Sequence, residues 1–236
     1  MPKNNSLQHL FQLNFAVLLI STSGTLGRYI DLPVPVIIAS RALIGGFALY
    51  CFCKWKKFSF IIKKEDRKVV FMSGVLMGIH WITYFYSLKL SNVAIGMLSV
   101  FTYPVITSFL EPIILKSKFD KSNIFLGLLV LIGIYFLVPE FSFKNTHLKA
   151  IGFGVFSALC YSIRNVLMKA KVKAYEGSIL MSYQLIVVSV LLIPTFFVFD
   201  TSGFQEALPA VLILSLLTTA TGHTLFLYSF KNFSIT

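Results

Sequence analysis

Phe85-Tyr86-Ser87-Leu88-Lys89 closes one long apolar segment, and 142 residues later Leu227-Tyr228-Ser229-Phe230-Lys231 closes another. The same offset aligns Ser73 with Ser215, Gly78 with Ala220 and Tyr84 with Phe226. Between the two copies lies a unit that reads as five membrane crossings. An odd number of crossings turns the second copy upside down relative to the first, so the sequence predicts an inverted repeat.

The composition supports the crossings. Of the 236 residues 56% are hydrophobic and only 13% charged, with mean hydropathy +0.80. A soluble chain of this size carries far more polar surface. The apolar residues fall in blocks about twenty long, the length a helix needs to cross ~30 Å of hydrocarbon. Continuous blocks, without polar–apolar alternation, predict helices and exclude barrel strands. We read eight spans: roughly 10–30, 33–53, 69–88, 93–115, 123–138, 150–168, 179–199 and 207–230, the fifth being short. The fold class is therefore an all-α multi-span membrane protein. The first repeat is expected over 1–138, and an incomplete second one, with three spans, over 150–236.

The net charge of +12 does not point to nucleic acid, because the basic residues sit in short stretches between apolar blocks with no aromatic platform among them. Their placement sets an orientation. Of 21 Lys and Arg, 15 fall on one side, including Lys3, the run Lys54 to Lys68, Lys116 to Lys121, Lys169 to Lys173 and Lys231. Only Arg28, Lys89, Lys144 and Lys149 fall on the other. That asymmetry predicts a cytoplasmic N-terminus and makes the Lys54–Lys68 connection a topology anchor against anionic lipid. The N-terminal stretch has no convincing small-residue cleavage site and reads as a retained first span. Cys51, Cys53 and Cys160 lack metal-ligand spacing and read as buried apolar residues.

Several of these segments resemble the drug/metabolite transporter superfamily, in particular proteins built from two EamA-type repeats. The resemblance rests on Ser40-Arg41-Ala42 in the second span and on Tyr84-Phe85-Tyr86-Ser87-Leu88, Leu98-Ser99 and Pro104 across the third and fourth. It continues through Gly127 and Gly133 in the fifth and Phe156-Ser157-Ala158-Leu159-Cys160-Tyr161-Ser162 with Lys169 in the sixth. It covers nearly the whole chain. One departure stands out: where the family has an acid just after span four, this chain reads Leu115-Lys116-Ser117-Lys118, and the nearest acid, Glu111, lies inside the span. The family's usual ten spans, in two five-helix repeats, make the eight seen here either a divergent short form or a fragment about 44 residues short, and the fragment is favoured because missing helices would leave polar interior surface facing lipid. The resemblance implies a bacterial inner-membrane exporter of metabolites or amino acids working by alternating access.

Ionisable residues within spans are costly and face a cavity or a partner. They are Arg41, His80, Glu111, Arg164 and His223. At 1.5 Å per residue, Arg41 and His80 lie about eight residues, roughly 12 Å, from the outer end, while Glu111, Arg164 and His223 lie about 18, 14 and 16 residues in. This predicts two polar clusters at different depths, lining one pathway, with the histidines and Glu111 as candidates to carry a coupling proton. A bland alternative pairs Glu111 with Arg164 and hydrogen-bonds each histidine to a neighbouring helix. Trp81 and Tyr84 lie too deep for an interfacial belt and are pathway candidates, in a wall suited to amphipathic or cationic solutes. Pro104, near the centre of span four, is a candidate hinge or a static kink. Gly74 and Gly78 predict close helix packing.

No phosphate loop, metal cluster, nucleophile elbow or carboxylate pair is present in the sequence. We therefore expect no cofactor, no metal and no enzymatic activity, with membrane lipid and a small-molecule substrate as the partners. Two other classes stay open: a membrane sensor or scaffold that moves nothing, and an intramembrane lipid enzyme, for which Glu111 with His223 is the only candidate pair.

Overall fold

A computed structural model describes residues 3–116, 119, 122–137 and 146–233. Among these the regular structure is entirely helical. The long elements are α1 (Lys3–Tyr29), α2 (Val34–Trp55), α3 (Arg67–Leu90), α4 (Val93–Val100), α5 (Tyr103–Leu115), α6 (Ser122–Leu137), α7 (Thr146–Lys169) and α8 (Gly177–Leu192). They are followed by α9 (Thr195–Val198), α10 (Phe204–Ile213), a π-helical segment over Leu214–His223, and α11 (Thr224–Ser229). Seven stretches are long and apolar enough to cross a membrane, with α4–α5, α8–α9 and α10–α11 each counting as one. The expected fifth span corresponds to α6, which at 16 residues rises only about 24 Å. Residues 138–145, and with them Lys144, lie outside the described residues, as do Ser117, Lys118 and Lys121.

The burial pattern is that of a protein solvated by lipid. Phe136, Phe197 and Ile113 are 81%, 87% and 74% exposed, whereas Arg41, Arg164, Asn165, Gln184 and Thr218 are fully buried. Hydrocarbon supplies no hydrogen bonds, so polar groups gather inside the bundle. Many interior hydroxyls return to their own helix, as Ser40 Oγ does to Val36 O and Ser99 Oγ to Ile95 O. Cys53 and Cys160 are buried as expected, but Cys51 is exposed.

Hydrogen bonds at the two ends of the bundle fix the direction of each helix. At one end, Asp66 ahead of α3 takes an ion pair from Lys171 and a hydrogen bond from Tyr175, both in the α7–α8 turn. The bound carboxylate pushes the Tyr175 phenol up from its ordinary value. Lys169 donates to Phe230 O, and Asn232 meets His9 at the same end. At the opposite end, Arg28 donates to Lys89 O, Lys89 to Ile30 O, and Ser91 meets His147 at the start of α7. The chain must therefore return from the first end after α5 to the second before α7, and α6 is the described helix between them. Short as it is, α6 runs along a crossing.

Against this frame the 142-residue offset is visible in the packing. It carries α1 onto α7, α2 (34–55) onto α8–α9 (176–197), and α3 onto α10, the π segment and α11. Each such pair runs in opposite directions between the two ends. The contacts map onto one another as well: α3 packs on α7 as the π segment packs on α1, and α2 meets the π segment as α8 meets α3. The α2–α8 contact maps onto itself. The arrangement is an inverted one about a two-fold axis lying in the membrane plane.

Close approaches along this axis use small residues. A Cβ on Gly74 would lie 2.7 Å from Val187 Cβ, and one on Gly78 3.4 Å from Val188 Cγ2, so the predicted glycine face packs α3 on α8. Of the two glycines in α6, Gly127 abuts Val105, while Gly133 has open space beside it.

Candidate functional site

The π segment sets up the interior. Its i→i+5 bonds widen the turn, and Thr219 and Thr221 hydroxyls return five residues back, to Leu214 O and Leu216 O. Runs of this geometry are rare and concentrate at functional sites. Arg41 of α2 reaches across to it, donating from Nε to Thr219 Oγ1 at 2.9 Å and from Nη2 to Thr218 Oγ1 at 3.4 Å. Its guanidinium lies over the Trp81 ring, 4.1 Å from the centroid, and 5.5 Å from that of Phe85. Desolvated cation–π contacts of this kind are worth about 2 kcal/mol or more. Nη1 has no hydrogen-bond partner among the described residues.

His80 is held on α7. The Ser157 hydroxyl donates to His80 O at 2.7 Å, leaving its oxygen to accept from Nδ1 at 2.8 Å. Ser157 O, which can only accept, is also within 3.2 Å of Nδ1. The network therefore assigns the proton to Nδ1 and the lone pair to Nε2. The imidazole stacks on Tyr161 at 4.4 Å and 21°, and Tyr161 meets Tyr103 edge-on at 5.1 Å. Trp81 meets His223 edge-on at 5.4 Å. His223 Nδ1, like Arg41 Nη1, has no partner among the described residues.

These rings enclose a chamber of about 70 Å³ between α1, α3, α4–α5, α7 and the last span, lined by His80, Trp81, Tyr84, Tyr103, Tyr161 and His223 among others. Trp81 and His223 are 142 residues apart, so the two equivalent positions of the inverted halves touch each other in its wall. A residue meets its own symmetry equivalent only at the axis.

Four of the predicted residues, His80, Trp81, Tyr84 and His223, thus line one chamber, with Arg41 directly behind Trp81. The expectation of two clusters at different depths is corrected. His223 joins Arg41 across the Trp81 ring; the π segment ahead of it rises less per residue than an α-helix, so counting at 1.5 Å per residue overstates its depth. Arg164 sits one layer further out, 5.9 Å from the Tyr161 ring. It does not pair with Glu111: its Nε donates to Gln184 Oε1 at 2.7 Å and Nη1 to Asn165 Oδ1 at 2.9 Å. Glu111 is half-buried on α5 and does not line the chamber, so the pair Glu111 and His223 required of a lipid enzyme is not brought together.

Pro104 also differs from expectation. The fourth span breaks at Phe101 and Thr102, and Pro104 lies in the first turn of α5. A first-turn residue has no intrahelical donor to lose, so the proline starts a helix there. Tyr103 O, beside the break, accepts from Ser162 Oγ at 2.9 Å, which ties the break to α7.

The sequence pattern of the EamA-like transporter family matches residues 10–138, more than half of the chain. The chain belongs to the EamA-like transporter family. No curated protein matches it. A solved crystal structure superposes with TM-score 0.72 over 95% of this chain and 79% of the other, at 16% identity, and establishes a shared fold. The EamA-like pattern runs from α1 to the end of α6 and thus covers α2 and α3, which supply Arg41, His80, Trp81 and Tyr84. Family and fold together make this a multi-pass membrane protein of a transporter family, as the sequence predicted. The partners of the chamber walls were not legible in the same way: Ser157, Tyr161, Thr218 and Thr219 are ordinary polar residues until the helices meet. The offset joining Trp81 to His223 was the available signal.

Proposed function

We propose that this EamA-like protein moves a small organic solute across the membrane by alternating access, with the axial chamber as the substrate site. The contact of Trp81 with His223 carries the reading, because a site on the axis presents related walls to either side when the halves rock. At about 70 Å³ the chamber is well below the ~300–1,000 Å³ of a ligand pocket. The chamber as it stands is too small for such a solute, and admission requires helices to separate. The break between α4 and α5, near Pro104, is the hinge proposed for that movement. The two repeats are assigned to 1–138 and 150–236. Export from a bacterial cytoplasm is what the family resemblance implies, and the charge asymmetry favours the lysine-rich end inside.

Purified protein in liposomes preloaded with a mixed pool of amino acids and organic acids should accelerate exchange of at least one labelled member. Saturable binding with no counterflow would overturn transport in favour of a sensor or scaffold. Coupling to protons is proposed for Glu111 and the two histidines, His80 and His223, and an exchange rate unmoved by an imposed proton gradient would remove it.

A further inference from the structure

Among the described residues the chamber is bordered by two fixed positive charges and no negative one. Arg41 and Arg164 are both 0% exposed, and neither guanidinium touches a described carboxylate. The ion pairs among the described residues are Asp66 with Lys171 and Glu176 with Lys231, both at the bundle end. Arginine stays charged in proteins, so burial cannot be relieved by losing the proton. Neutral acceptors satisfy Arg164 on three sides. Arg41 is less complete: two threonine hydroxyls and two ring faces hold it, and Nη1 is fully buried with no acceptor among the described residues. Thr219, which binds Arg41, lies one wide turn before His223, whose Nδ1 is also buried without a partner. A buried charged donor left without an acceptor is costly, and a bound anion removes that cost.

Resting on the transport reading above, we propose that the solute is an organic anion, a carboxylate on an aromatic or apolar body. The carboxylate is received by Arg41 Nη1 and His223 as Trp81 swings aside, and the body lies against Tyr161 and Tyr103. Guanidinium forks match carboxylates in geometry as well as charge. The aromatic wall alone would have suited a cation. The two arginines behind that wall reverse the preference, because a cation entering the chamber would meet like charges in a medium that screens them poorly.

The test uses the whole chain in nanodiscs, with the exposed Trp55 changed to Phe so that Trp81 emission reports alone. Phenylacetate, phenylacetamide and phenethylammonium are titrated at pH 7.5. Phenylacetate is expected to bind at least ten-fold more tightly than the amide, and the ammonium more weakly still. Arg41→Gln should erase the anion's advantage, bringing phenylacetate and phenylacetamide to similar affinities, and an unchanged helical circular-dichroism spectrum in the same nanodiscs shows that the variant is folded. Arg41→Lys should keep part of it. Equal affinities, a preference for the ammonium, or an unchanged anion-to-amide ratio in Arg41→Gln would overturn the proposal. Flux of permanently charged benzenesulfonate in proteoliposomes separates the two readings. Anion binding without flux sinks transport and keeps the site, whereas flux of the pooled solutes with no anion preference keeps transport and sinks the site.

Discussion

Gln184→Leu is expected to destabilise the folded bundle by about 3 kcal/mol, among the largest effects of any single uncharged substitution in this protein. Gln184 Oε1 accepts a hydrogen bond from Arg164 Nε at 2.7 Å, and its amide donates to Leu180 O at 3.0 Å. Neutral interhelical hydrogen bonds in membranes average only about 0.6 kcal/mol, since unfolded helices also find partners in the bilayer. That average does not govern here. The donor is a charged group with no exposure, and stranding it carries the penalty of a buried charge, about 3–5 kcal/mol for a broken pair. Reversible unfolding in mixed micelles measures the loss. The double variant Arg164→Met, Gln184→Leu removes both the charge and its acceptor and should recover most of it. Equal stability of Gln184→Leu and wild type would show that Arg164 finds another partner.

The second large effect is steric. A Cβ on Gly154 would stand 2.4 Å from Ser99 Cβ and 3.2 Å from Ser87 Oγ. Helices α4 and α7 must part for any side chain there, so Gly154→Ala should cost about 1–3 kcal/mol as overpacking. It should also slow exchange, because α4 carries part of the chamber wall through Met97 and Val100. Ser99→Gly has its own helix cost of about 0.5 kcal/mol. The informative quantity is therefore the coupling: the double variant should be less destabilised than the sum of the two singles. Additive costs would mean that α4 yields without resistance.

What the sequence disclosed, and what it hid, follows from which physical signals are local. Helix positions were readable because a span must be continuously apolar, and the two-sided count of lysines ordered the ends that Asp66, Lys171 and Tyr175 now join. Arg41, His80 and His223 were conspicuous because ionisable side chains are rare in hydrocarbon. Their grouping was not readable, because depth counted along a regular helix fails where ten residues adopt π geometry. Pro104 was readable as a break but not as the start of a new helix, since a proline within a span and one opening a new helix look alike without the backbone. Gln184 gave no signal of its own, and its importance comes from the charge two helices brought to it.

Membrane-impermeant maleimide labelling of oriented vesicles tests the inverted arrangement most directly. Single cysteines would replace Lys64, Lys171, Lys89 and Gly203 in a background lacking Cys51, Cys53 and Cys160. Positions 64 and 171 should label together from one face, and 89 and 203 together from the other. Labelling of 64 and 171 from opposite faces would contradict the inverted arrangement, for two halves threaded in the same sense could not bring Trp81 against His223.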